Sequence, residues 1–171
     1  VRGYGYWSDL IYTLKNTKPN YSTSTNVETL FQNISGDNIV SGQVYFNDDI
    51  VSQEFVYKRN DGQIFNLEEC ATGIKAFGIL QMLLRNGVLS KNTLLIIDEP
   101  EAHLHPQWIV EYARIIVLMH KLIGVKFFIA SHNPDMVSAI RYIAEKEGIL
   151  DSVSYYLANK TGSYSYTYKF L

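Results

Sequence analysis

A chain of 171 residues with 47% hydrophobic and 19% charged residues is too apolar for a disordered segment. It is long enough for one domain with a real core, burying roughly 70% of its unfolded surface. Fifteen Lys and Arg against 17 Asp and Glu, a net charge of -2, exclude a polybasic chain that holds nucleic acid by overall charge, leaving only a local patch for that purpose. The single cysteine, Cys70, excludes an internal disulfide framework and a cysteine-based zinc cluster. No apolar run reaches the roughly 18 residues that span a bilayer, and the first seven residues hold no signal-peptide core. A soluble cytoplasmic chain is the expectation, and the lack of an initiator Met points to a fragment or a processed product.

Composition shifts near residue 66. Asn, Ser, Thr, Tyr, Asp and Gly dominate before it and apolar runs lengthen after it, so the expectation is one domain with peripheral strands and loops at 1–66 and a core at 67–171. Residues 16–26 (NTKPNYSTSTN) read as a loop, because Pro, Asn and Ser favour turns. Residues 42–46 and 52–57 read as strands, the latter from its alternating β-branched and aromatic residues. Asp61-Gly62 marks a tight turn, and Phe65 and Leu67 open the return strand. From 72 to 85 the apolar residues Ile74, Phe77, Ile79, Leu80, Met82, Leu83 and Leu84 follow helical spacing, closed by Asn86-Gly87. The unbroken apolar run at 94–97 is typical of a strand buried on both faces, and 125–130 reads as a second buried strand. Pro106 opens a helix to about residue 122 that Gly124 ends, and Pro134 opens another to about 146. Strands at 152–157 and 164–170 follow, joined by a turn at 160–162. The order predicts an α/β layered fold: two parallel core strands, crossover helices and a C-terminal strand pair.

Three constellations carry chemistry. Leu94-Leu95-Ile96-Ile97 runs into Asp98-Glu99-Pro100, placing two acids where ligands bind in parallel sheets. One acid there can hold Mg²⁺ and the other can orient water toward a phosphoryl group; the plain alternative is a surface acid pair at a strand end. The second strand ends in Ser131-His132-Asn133-Pro134. If the strands are neighbours, His132 and Glu99 share one site, and the alternative is a helix cap with an incidental histidine. Third, Thr72 and Gly73 begin a helix, whose free N–H groups favour an anion; the alternative is an ordinary Thr72 N-cap. His103 and His105, near Glu99 and Glu101, also admit a metal-ligand reading. The tyrosines at 155, 156, 164, 166 and 168 read as half-buried strand residues, with base stacking as the alternative.

The run Asp98-Glu99-Pro100-Glu101-Ala102-His103-Leu104-His105-Pro106, with Ser131-His132 at the next strand end, resembles the Walker B and switch-histidine motifs of ABC-type ATPase heads. It is most similar to the AAA-type branch of chromosome-maintenance, recombination and bacterial-defence ATPases. Ala71-Thr72-Gly73-Ile74-Lys75 is similar to a degenerate form of that family's Leu-Ser-Gly-Gly-Gln signature. The resemblance implies the C-terminal part of a P-loop NTPase fold, with ATP and Mg²⁺ as ligands. Asp98 would hold the metal, Glu99 and His132 would be catalytic, and Ser131 would contact nucleotide. Thr72, Gly73 and Lys75 would close over ATP bound to a second copy, in a homodimer that ATP holds together. The stretch with His103 and His105 would face the partner's nucleotide. A bulky acid at Gly73 is expected to leave the monomer's fold intact.

The family's phosphate loop, Gly-x-x-x-x-Gly-Lys-Ser/Thr, occurs nowhere in the chain, and Gly3 and Gly5 precede no suitable Lys. An N-terminal P-loop part is therefore the expected partner. A non-catalytic interaction module of the same fold, or a metal-dependent hydrolase using the acids and histidines, are the alternatives.

Overall fold

A computed structural model describes residues 6–16, 24–49 and 53–171. Gly3, Gly5, residues 17–23 of the expected loop and Ser52 lie outside the described residues. The half expected to hold only strands and loops contains two helices, α1 (Tyr6–Asn16) and α2 (Thr25–Ser35). In α2, Val27, Leu30, Phe31 and Ile34 recur at helical spacing, and Leu30 and Ile34 are fully buried. The Ser24 hydroxyl caps its start by accepting from Val27 N–H at 3.4 Å. The polar residues between those apolar positions face water, so average composition conceals the helix that periodicity reveals.

Strands β1 (Gly42–Asp48), β2 (Gln53–Arg59) and β3 (Ile64–Asn66) form an antiparallel sheet in that order. The turn between β2 and β3 holds Gly62 at φ +91°, a conformation open to glycine at little cost. Leu67 leaves the sheet for a short 3-10 turn, Leu67–Glu69. Helix α3 (Thr72–Arg85) follows. Then β4 (Leu94–Asp98), α4 (Pro106–Ile123), β5 (Lys126–Ala130) and α5 (Pro134–Lys146) alternate. Strands β4 and β5 are parallel neighbours, Leu94 opposite Lys126 and Asp98 opposite Ala130, with α4 as the crossover. Gly124, at φ +84°, ends α4 by donating its N–H to His120 O.

The core lies between the helices and the inner faces of both sheets. Phe77, Leu80 and Leu84 of α3 meet Ile115 and Met119 of α4, Met136 of α5, Leu30 and Ile34 of α2, and Val44 of β1. Each such side chain, fully buried, stabilises the fold by about 1.5–3 kcal/mol. A fully buried polar residue sits among them. Gln81 of α3 is fully buried, accepts from Val44 N–H at 3.0 Å, and donates to Gly42 O at 2.9 Å and to Ser35 Oγ at 3.0 Å. It satisfies the outer edge of β1 and ties α2, α3 and that sheet together.

Burial departs from expectation in two places. Strands β4 and β5 are covered on one face only. Leu95, Phe127 and Ile129 pack on the core, while Leu94, Ile96 and Phe128 are 55%, 71% and 62% exposed. An apolar run specifies a strand that can be covered twice, and among the described residues nothing covers the second face. The terminal hairpin is also shifted and open. Residues 150–152 form a 3-10 turn, β6 (Tyr156–Lys160) pairs with β7 (Tyr166–Phe170), and the connection falls at 161–165. Register puts Tyr156, Tyr166, Tyr168 and Phe170 on one face, yet every residue of both strands is exposed rather than half-buried. Alternation decides which residues share a face; whether anything packs on that face is a tertiary matter.

Candidate active site

The ladder between β4 and β5 runs one residue past Asp98, where Glu99 N–H donates to Ala130 O at 2.8 Å. The backbone then turns sharply, with Glu99 at φ +48°. A non-glycine residue in this left-handed region costs on the order of 1 kcal/mol, and such strain clusters at functional sites. The turn brings the Glu99 side chain to the loop after β5, Oε1 lying 3.0 Å from Nδ1 of His132. Both side chains are open to solvent, 52% exposed for Glu99 and 76% for His132. A polar contact this exposed contributes about 0–1 kcal/mol even when both partners are charged, so stability does not explain it. Asp98, also exposed, has no protein partner for its carboxylate among the described residues. Asp98, Glu99 and His132 thus gather at the carboxyl ends of two adjacent parallel strands.

Ser131 is engaged within the protein. Its Oγ donates to Glu101 Oε1 at 2.7 Å and accepts from Asn133 N–H at 3.1 Å. Asn133 caps α5, its Oδ1 accepting from Asp135 N–H at 2.8 Å and Met136 N–H at 3.3 Å. Glu101 is buried at 6% exposure, and its Oε2 has no hydrogen-bond partner among the described residues. Leaving such an atom unsatisfied costs about 1–3 kcal/mol. In the sequence Glu101 stands within the Walker B-like run and beside the histidines, with no role of its own. Its spacing of two from Glu99 is the one local hint of its place here.

At the start of α3, Ala71 occupies the N-cap position and no side chain caps the helix, so Thr72 is the first helical residue and not the cap. Gly73 is buried, and a Cβ built on it would lie 1.9 Å from Cζ3 and 2.0 Å from Cε3 of Trp108. A bulky acid there therefore cannot leave the monomer undisturbed, contrary to expectation. Lys75 donates from Nζ to Glu68 O at 2.7 Å. Partial burial pushes the Cys70 thiol up, keeping it neutral near pH 7. Ala71, Thr72 and Gly73, with His103, His105, Gln107 and Trp108, line an open cavity of about 420 Å³, which none of Asp98, Glu99 and His132 reaches. His105 Nδ1 accepts from Gln107 N–H at 3.4 Å as the cap of α4, and His103 sits at φ +62°. Among the described residues no three His, Cys, Asp or Glu side chains converge on a metal-binding geometry. Asp98, Glu99, Ser131 and His132 come together as the sequence suggests, while Thr72 and Gly73 stand at a separate surface and Lys75 is tied to the turn before it.

Residues 9–138 match the family described as "AAA domain, putative AbiEii toxin, Type IV TA system". An ABC transporter ATP-binding protein of Clostridium perfringens (strain 13 / Type A) is 32% identical over 93 residues, 51% of this chain and 33% of that protein. The energy-coupling factor transporter ATP-binding protein EcfA3 of a second Clostridium perfringens strain is 35% identical over 75 residues, 43% of this chain and 26% of that protein. The matched stretches span about a third and about a quarter of these relatives, from the same figures. Among solved structures, one from work on ATP-driven dimerization and DNA-stimulated activation of SMC ATPases superposes with TM-score 0.58 at 14% identity, covering 86% of this chain and 82% of that chain. An Smc head bound to the C-winged helix domain of ScpA gives TM-score 0.50 at 18% identity, over 69% of this chain and 36% of that chain. At these identities the likeness is one of fold, that of the ABC-type P-loop NTPase head.

Proposed function

This chain belongs to the AAA-domain family of ABC-type ATPase heads, and we propose that it carries the hydrolytic half of an ATP site that a P-loop-bearing part completes. The observation that carries this reading is the 3.0 Å approach of Glu99 to His132 across two parallel strand ends, beside Asp98, whose carboxylate has no partner among the described residues. An exposed carboxylate without a protein partner suits Mg²⁺, which takes one or two carboxylates, phosphate oxygens and waters and needs no all-protein cage. Asp98 would hold it, and the bound ion would offset negative charge on the phosphates. Glu99 orients the attacking water and accepts its proton. His132, donating to Glu99 through Nδ1, keeps that carboxylate in place and turns its other nitrogen to the γ-phosphate.

Thr72 and Gly73, with Lys75 behind them, present the open end of α3 to nucleotide held by a second copy, the α3 surface being apart from the Glu99 site within one chain. Residues 1–171 would form one part of a larger head, with 67–171 as its core. The uncovered face of β4 and β5, bearing Leu94, Ile96 and Phe128, is the surface on which the P-loop part would pack. The test is Glu99→Gln in the intact gene product, which keeps the shape and removes the base. Turnover should fall about a hundredfold or more while ATP binding survives and an ATP-bound dimer accumulates. Unchanged turnover would remove Glu99 from this role.

A further inference from the structure

The turn after β4 carries two acids, Glu99 and Glu101, and each meets one of two consecutive residues in the loop after β5: Glu99 meets His132 and Glu101 meets Ser131. We propose that Glu101 is a positioning residue for ATP hydrolysis, holding Ser131 and thereby His132 in register with Glu99. This rests on the reading of Glu99 and His132 given above.

The geometry supplies both ends of the link. An imidazole 76% exposed has few neighbours to restrict its rotamers, yet it stands 3.0 Å from Glu99. What restrains it is the backbone on either side. Ser131 is pinned to buried Glu101 at 2.7 Å, and Asn133 is pinned to Ser131 and to the first turn of α5. Glu101 is in turn fixed by its own turn, where Ala102 N–H donates to Glu99 O at 2.9 Å and Leu104 N–H donates to Glu101 O at 3.0 Å. An apolar side chain would fill the buried space without an unpartnered oxygen. What the carboxyl adds is the acceptor for Ser131 Oγ. Glu101 touches neither water nor phosphate in this scheme; it acts through Ser131.

Steady-state ATP turnover by the intact gene product tests the link. Glu101→Leu, which fills the space without an acceptor, and Ser131→Ala should each lower kcat about ten- to a hundredfold through a small misplacement of His132. KM for ATP should stay within about twofold, since binding is not what the link supplies. The double variant should be no slower than the slower single, and Glu101→Gln, whose amide oxygen still accepts from Ser131, should recover kcat to within about threefold of wild type. Losses that multiply in the double variant, or a Glu101→Gln enzyme as slow as Glu101→Leu, would overturn the proposal. If Glu101→Leu fails to fold by circular dichroism, Ser131→Ala and Glu101→Gln still decide it. If Glu99→Gln abolishes turnover while Glu101→Leu turns over like wild type, the positioning role alone falls. If Glu99→Gln turns over normally, the site reading itself falls.

Discussion

Replacing Gly73 with alanine adds one methyl group to the second residue of α3, at a point where the ideal Cβ lies 1.9 Å from Trp108 Cζ3. Carbon atoms in contact rest about 3.5–4.0 Å apart, so the indole must retreat by roughly 1.5 Å or more. Trp108 packs edge-on against Phe77, ring centroids 6.0 Å apart at 90°, and losing that geometry costs about 0.5–1.5 kcal/mol. Overpacking a filled site adds about 1–3 kcal/mol. Opposing this is the helix-propensity gain of alanine over glycine, about 1 kcal/mol in a helix interior and less in the first turn. The balance is a loss of about 2 kcal/mol. In a Trp108→Ala background the obstacle is gone, and Gly73→Ala should be neutral or favourable. Urea denaturation of the four proteins, followed by far-ultraviolet circular dichroism, closes the cycle, with an expected coupling of about 2–3 kcal/mol. An equal cost of Gly73→Ala in both backgrounds would show that Trp108 is not what the glycine accommodates. The signature-like segment is therefore better probed for its trans contact at exposed Thr72 than at Gly73, because Thr72→Asp brings negative charge to the same helix end without the clash.

With Glu99 at φ +48°, Glu99→Gly should be more stable than Glu99→Ala by about 1 kcal/mol, since both lose the same contacts and only alanine keeps the strain; thermal melts of the two compare them directly, and an equal or more stable alanine variant would contradict the backbone account. Gln81→Leu strands Val44 N–H and Gly42 O in the core, while Ser35 Oγ keeps its bond to Phe31 O at 2.8 Å, and should cost about 3 kcal/mol in urea denaturation, with amide exchange at Val44 accelerated. Burial pushes the Tyr112 phenol up to about 12. The folded chain thus keeps that proton after the unfolded chain has lost it: this stability is full below about pH 10 and is lost as pH rises through about 12. Unfolding free energy measured from about pH 9 to about pH 12 should fall less steeply in Tyr112→Phe than in wild type; parallel curves would contradict it.

Local rules carried the sequence reading a long way. Helix α3 occupies 72–85 as its periodicity predicts, Pro106 and Gly124 bracket α4, and Pro134 opens α5, because fixed φ and missing donors act within a few residues. The meeting of Glu99 and His132 was also legible, since two apolar runs joined by one helix make parallel neighbours whose ends coincide. Helix α2 was equally legible by its spacing, and composition alone concealed it. Other features were settled only when distant segments met. Gly73 reads as part of a segment that closes over nucleotide on a second copy, but Trp108, 35 positions on, takes up the space of its missing side chain. Glu101 looks like one more surface acid until Ser131 arrives on the neighbouring strand end. The apolar runs of β4 and β5 announce two coverable faces, whereas the described residues cover one, and the tyrosines of β6 and β7 alternate for a face that stays exposed. Periodicity and capping are properties of neighbouring residues, so a sequence states them outright. Coverage, close approach and long-range hydrogen bonds depend on which segments the fold brings together, and no local pattern encodes that.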